Sequence, residues 1–239
     1  MRRGGQGTTA DDVPAGLDRR LPLQEGLFLL GLRSDKGSVV AGWSPYILGG
    51  ALLAELVLRG RVEIEKTRWK TRVKVLDART PTRDRMLNEC LTRLRDDPKP
   101  RSPGVWIGRF TRIKDLRHRV AGRLCQRGIL RAVRRPVFLV FRVRVYPETD
   151  ARWKEDIALR LRCVILSGDV DAAGADAPGA RTMMLLSLAE GGGLLRHVLS
   201  RKERKSVRRR VKELVEDEPV GRAVKQLVQQ AAAAASASV

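Results

Sequence analysis

A chain of 239 residues, 43% of them hydrophobic, has enough apolar material for one sizeable core. Charge is the unusual quantity: 48 Lys and Arg against 27 Asp and Glu leave a formal +21, which points to a polyanionic partner, either nucleic acid or an anionic membrane surface. The longest weakly charged run, Tyr46 to Leu58, is thirteen residues long and contains Glu55, which excludes it as a bilayer span.

Residues 1–20 mix Gly, Thr, Asp, Arg and Pro without periodicity and predict a disordered tail. Met1-Arg2-Arg3 is followed by no apolar run, so a secretory signal is not expected. A single globular domain is expected over 21–230. Leu21-Pro22-Leu23-Gln24-Glu25 opens a short core helix through Leu30, ended by Ser34-Asp35-Lys36-Gly37. Ser44-Pro45 reads as an N-cap followed by proline at the first helical position, starting a helix that runs to Gly60. Trp43 sits in the loop just ahead of it. The free N–H groups of such a helix start favour a nearby anion; the plainer reading of Trp43 is a hydrophobic staple against the helix. Arg61 to Glu65 and Arg72 to Leu76 alternate as the strands of a hairpin. Asp84 to Arg95 is a helix with Met86, Leu87, Leu91 and Leu94 inward, and Ser102-Pro103 starts a short helix carrying Val105, Trp106 and Ile107.

The stretch Gly108 to Phe141 organises the chain. It holds ten Lys or Arg between Arg109 and Arg135 against one acid, Asp115, then turns apolar at Val137-Phe138-Leu139-Val140-Phe141. Ile113, Leu116, Val120 and Leu124 recur at helical spacing, and Gly128 is placed to end the helix. Lys114 and Arg117 share one side of it, with Arg117 near the apolar stripe, while Arg112, Arg119 and Arg123 lie on the opposite flank and offer only a charged surface. Ile129-Leu130-Arg131 and Val137 to Val143 predict two strands joined through Val133-Arg134-Arg135-Pro136. Farther on, Asp150 caps a helix to about Leu166 with Ile157, Leu161, Val164 and Ile165 on one face. A Gly/Ala/Asp linker follows at 168–179, then helices Arg181 to Glu190 and Leu194 to Leu199 hinged at Gly191-Gly192-Gly193. Arg201 to Val215 is a charged helix with core positions only at Val207, Val211 and Leu214; Pro219 begins a last helix, and 231–239 is an Ala-rich, disordered end. The fold class is therefore mainly α: one helical domain with one or two β-hairpins, the second at about 129–144.

No enzyme constellation emerges. His118 and His197 are isolated, and the Gly191 triplet lacks the Lys-Ser/Thr of a phosphate-binding loop. Glu63 and Glu65 have no base or metal partner in view. Cys90, Cys125 and Cys163 have neither metal-ligand nor disulfide spacing and read as small buried thiols. No catalytic residue, metal or cofactor is expected.

The segments Leu21-Pro22-Leu23-Gln24-Glu25-Gly26-Leu27-Phe28-Leu29-Leu30-Gly31-Leu32 and Gly50-Ala51-Leu52-Leu53-Ala54-Glu55-Leu56-Val57-Leu58-Arg59-Gly60-Arg61, the Asp77 turn with Pro81-Thr82, and Leu124 to Leu130 with its hairpin resemble, in that order, the Golgi phosphoprotein 3 family. The similarity runs from about Leu21 to Val228. Members of that family are peripheral membrane proteins that recognise phosphatidylinositol 4-phosphate and gather Golgi glycosyltransferases. The resemblance implies that Trp43 packs beside the lipid headgroup, that Lys114 and Arg117 form the family's basic pair, and that Gly49 stands where a further pocket Arg is usual. It implies an adaptor in membrane trafficking, with cytosolic tails of glycosyltransferases as partners and a place on the cytosolic membrane face: the Golgi in a eukaryote, the inner face of the plasma membrane in a bacterial member. A homo-oligomer is left open.

The residues support this reading independently. A phosphoinositide needs convergent cations, a flat apolar wall and an element that enters the interface. Lys114 and Arg117 supply the first, Trp43 the second, and the 131–138 apex with Phe138 the third, while Arg131, Arg134 and Arg135 add attraction of roughly 1 kcal/mol each near an anionic leaflet. The plain account of Phe138 to Phe141 is that alternate residues cover the core. The rival reading is a winged helix that binds nucleic acid, with Ile113 to Arg127 as recognition helix and Val133 to Phe138 as wing; few Asn or Gln are present on the helix to read base edges.

Overall fold

A computed structural model describes residues 21–97, 99–137, 141–167 and 178–236. Among these the helices are α1 (Leu23–Leu30), α2 (Tyr46–Leu58), α3 (Arg85–Asp96), α4 (Pro103–Phe110), α5 (Leu116–Gln126), α6 (Arg152–Ser167), α7 (Pro178–Gly191), α8 (Arg201–Val215) and α9 (Pro219–Ser236). Two antiparallel hairpins, β1 (Val62–Lys66) with β2 (Thr71–Val75) and β3 (Val133–Val137) with β4 (Phe141–Val145), complete the mainly helical fold. No helix among the described residues is long and apolar enough to cross a membrane.

α2 is the axle. Every residue from Ile47 to Leu56 is buried, as a helix apolar on all sides must be, and α1, α3, α4, α7 and α9 pack around it. Two glycines in its first turns let neighbours close in. A Cβ at Gly49 would stand 2.6 Å from the Ile107 carbonyl of α4, and one at Gly50 would collide with Val224 of α9.

Glu55 is buried in this apolar axle because it is fully paired. Arg181 of α7 forks onto it at 2.9 and 3.0 Å, Arg59 donates at 3.0 Å, and the Leu23 N–H at the start of α1 donates at 3.2 Å. Burial alone would raise its pKa; these donors outweigh that and hold the carboxyl below its ordinary value of 4.5. The two runs that carry the family resemblance, Leu21 to Leu32 and Gly50 to Arg61, are thus tied by one buried carboxylate.

Three expectations are corrected. The basic helix does not start at Ile113: α4 ends at Phe110, and α5 begins at Leu116 after Asp115 takes a left-handed φ of 54°, a conformation Asp tolerates better than most residues. Val133 to Pro136 is strand rather than turn. The register pairs Val133 with Val145 and Val137 with Phe141, and a two-stranded ribbon accepts Pro136 because its missing N–H falls on an edge. The Gly191 triplet separates α7 from the 3₁₀ turn Leu194–His197 as expected, with Gly193 at a left-handed φ of 68°, and it is also a packing site, since a Cβ at Gly191 would meet the Gly221 carbonyl of α9. Of the three thiols only Cys90 is fully buried. The linker expected at 168–179 falls largely outside the described residues, as does the tail at 1–20. After Gln230, α9 continues to Ser236, in keeping with the high helix propensity of alanine.

Candidate functional site

Several cations of α5 are committed to folding. Arg119 meets Glu89 of α3 at 2.7 Å, Arg123 bridges Asp84 and Glu25, and Arg127 reaches Glu25 at 3.1 Å. Asp84 also caps α3 and accepts from Gln24 at 3.1 Å. Burial pushes the Glu25 carboxyl up from 4.5 despite the two arginines beside it. Arg119 and Arg123, expected as a charged outer flank, therefore fasten α5 onto α1 and α3. This counts against the winged-helix reading, because the proposed recognition helix spends Arg119, Arg123 and Arg127 on the protein's own acids.

Other cations have no such duty. Arg117, Arg134, Arg142 and Arg144 make no ion pair among the described residues, and together with Asp115, His118, Arg119 and Val143 they line an open cleft of about 800 Å³ between the start of α5 and the second hairpin. The hairpin register places Arg134 directly opposite Arg144 and Pro136 opposite Arg142. Like charges facing each other across a ladder destabilise it, so these arginines do not serve the stability of the hairpin. His118 sits inside the cleft, its Nδ1 2.6 Å from the Tyr146 hydroxyl. Partial burial and the neighbouring Arg117 and Arg144 lower its pKa from the ordinary 6.5.

The predicted site residues are distributed unevenly about this cleft. Arg117 and Arg134 line it. Arg135 lies on the alternate face of the strand, and Arg131 precedes β3, where its N–H donates to the Pro147 carbonyl at 3.0 Å; Arg131 is therefore at the base of the hairpin and not at its apex. Phe138, expected at the apex, lies outside the described residues. Lys114 is exposed in the link between α4 and α5 and is not part of the cleft wall. Trp43 is half-buried, its ring laid against Gly31 and edge-on to Phe28 at 5.9 Å.

Two sets of contacts connect the link that carries Lys114 to α2 and Trp43 to the cleft. A Cβ at Gly49 would stand 3.0 Å from Thr111 Cγ2, so the link that carries Lys114 starts beside the first turn of α2, the helix into which Trp43 leads. Phe28 also stacks edge-on to Tyr146 at 6.3 Å, so Trp43, Phe28, Tyr146 and His118 form an aromatic row ending in the cleft. Gly49 itself is enclosed by α4, and an Arg there would have to push α4 away. Arg142 and Arg144 were missed at sequence level, although the alternation Arg142-Val143-Arg144 carries their signal: period two puts both arginines on one strand face.

The chain is 27% identical over 207 residues to vacuolar protein sorting-associated protein 74 of Eremothecium gossypii; the match takes in 75% of this chain, which spans 62% of that protein. The description of the family Golgi phosphoprotein 3 (GPP34) matches residues 23–231, a span that includes α1, the α2 axle, the cleft and α8. The chain belongs to the Golgi phosphoprotein 3 family.

Proposed function

We propose that this protein docks on anionic membranes through the cleft and the second hairpin beside it, taking a phosphorylated lipid headgroup between Arg117 and the arginines of β3 and β4. The observation that carries the proposal is the facing pair Arg134 and Arg144, left without an ion-pair partner among the described residues. A phosphomonoester would relieve that repulsion, and arginine forks suit its oxygens. Family membership favours phosphatidylinositol 4-phosphate as the headgroup. Trp43, just ahead of α2, and Lys114, in the link between α4 and α5, flank the headgroup on the side away from the hairpin, where the start of α2 adds a favourable field. The name of the relative, a vacuolar protein sorting-associated protein, and the family suit a trafficking adaptor on the cytosolic face of the Golgi, gathering membrane enzymes by their cytosolic tails, with no catalytic step of its own.

The test is binding to vesicles containing phosphatidylinositol 4-phosphate by wild-type protein and by Lys114→Ala/Arg117→Ala. The double variant should bind at least about ten-fold more weakly, given roughly 1 kcal/mol per interfacial cation; equal binding would remove these two residues from the site.

A further inference from the structure

α8 carries a second cationic surface that the headgroup site does not use. Its start is a complete capping box, with Ser200 and Glu203 each accepting the other's backbone N–H, and Glu203 also pairs with Arg162 of α6. Val211 is buried, with Val207 and Leu214 packed beside it. The opposite face is Arg201, Lys202, Lys205, Arg208, Arg209 and Lys212, all exposed. Among the described residues only Arg209 of these has an ion pair, with Glu213 at 3.4 Å. The stripe extends for about 16 Å at the helical rise.

Its placement matters more than its charge. The short 3₁₀ turn Leu194–His197 leads into α8, and Arg196 within it donates to the Ala41 carbonyl and crowds Gly42, next to Trp43. The turn that leads into α8 therefore adjoins the Trp43 loop. The acids of this region lie the other way: Glu213, Asp217 and Glu218, with Glu63, line a groove against Val57 and Gly60, at the far end of α2 from Trp43.

We propose that the outward face of α8 is a second contact for an anionic lipid surface, continuous with the Trp43 loop, so that the protein lies on the bilayer across a broad footprint with the headgroup cleft at one side. This rests on the membrane reading above. A lipid surface is favoured over nucleic acid because the turn that leads into the stripe adjoins the loop that leads to the headgroup site, while the groove acids Glu213, Asp217 and Glu218 gather at the C-terminal end of α8 and beyond it. No Asn or Gln occurs between Arg201 and Val215 to read a base.

The experiment compares partition of the full chain into phosphatidylserine vesicles free of phosphoinositide, over a range of salt, for wild type, Lys202→Gln/Lys205→Gln/Arg209→Gln/Lys212→Gln, and an equal-charge control, Arg68→Gln/Lys70→Gln/Arg79→Gln/Lys99→Gln, placed around the first hairpin. The α8 variant should bind at least about ten-fold more weakly with a shallower salt dependence, with unchanged helical circular dichroism, while the control stays close to wild type. Equal losses in the two variants would mean that only total charge counts, and unchanged binding by the α8 variant would remove α8 from the contact; either overturns the proposal. If the α8 variant keeps its affinity for phosphatidylinositol 4-phosphate vesicles at high salt while losing phosphatidylserine binding, the two sites are separate. If wild type binds neither vesicle and α8 instead retains duplex DNA, the membrane reading falls together with this one.

Discussion

Single residues in this protein divide into charges that hold the fold and charges that make no ion pair among the described residues. Glu55 belongs to the first group, and its main partner is Arg181, which forks onto it. Arg181→Met keeps the aliphatic stem but strands the buried carboxylate, and should cost about 3 kcal/mol in urea unfolding at neutral pH. Because the folded pKa of Glu55 lies below 4.5, its stabilising contribution is present above that value and is lost as pH falls through the lower folded value. The gap between wild type and Arg181→Met should therefore narrow in acid; a constant gap would contradict the assignment. Asp115 makes a smaller test. Its positive φ predicts that Asp115→Val loses at least about 1 kcal/mol while Asp115→Gly stays near wild type. At this scale the sequence was least legible. Arg119 and Arg117 differ by two positions and nothing local shows that one clamps Glu89 while the other lines a cleft. That distinction depends on which acids α1 and α3 present to α5.

At the scale of elements, local signals were more informative. α8 was expected from Arg201 to Val215 and occupies those residues, and the Asp84 and Ser102-Pro103 helix starts appear where their caps placed them. The second hairpin was recognised but its strands were shifted, because Pro136 reads as a turn residue unless the strand has a free edge. The corrected register yields a prediction that separates function from stability. Arg134→Gln relieves the repulsion with Arg144 and should raise unfolding stability by about 0.5 kcal/mol, while lowering affinity for anionic vesicles. A variant that loses both would mark Arg134 as structural. His118 adds a pH signature to the cleft. Its pKa is lowered by burial, Arg117 and Arg144; an anion bound between those arginines reverses part of the local field and raises it. Binding should then take up a proton, and affinity should rise as pH falls from 7 toward 6. Titration calorimetry in buffers of different ionisation enthalpy measures that uptake, and His118→Gln should abolish it.

For the whole molecule, the same asymmetry recurs along α2, an axle of about 20 Å. Its N-terminal end gathers Trp43, the link with Lys114 and, through the aromatic row, the arginine cleft; its C-terminal end meets the acidic groove. Composition alone announced a polyanionic partner but could not show this polarity, since 48 cations spread evenly would have produced the same +21. The family was legible from the order of its apolar motifs, because those motifs form the axle and its buried carboxylate. The cations of the cleft were legible only in part, because they come from the edges of three different elements, α5, β3 and β4. The most direct measurement is flotation with two vesicle sets of equal surface charge at physiological salt, one containing phosphatidylinositol 4-phosphate and the other only phosphatidylserine, with duplex DNA as competitor. The account predicts stronger binding to the first set, undiminished by DNA and lost in Arg134→Gln/Arg144→Gln. Equal binding to both sets, or displacement by DNA, would contradict a headgroup site in the cleft.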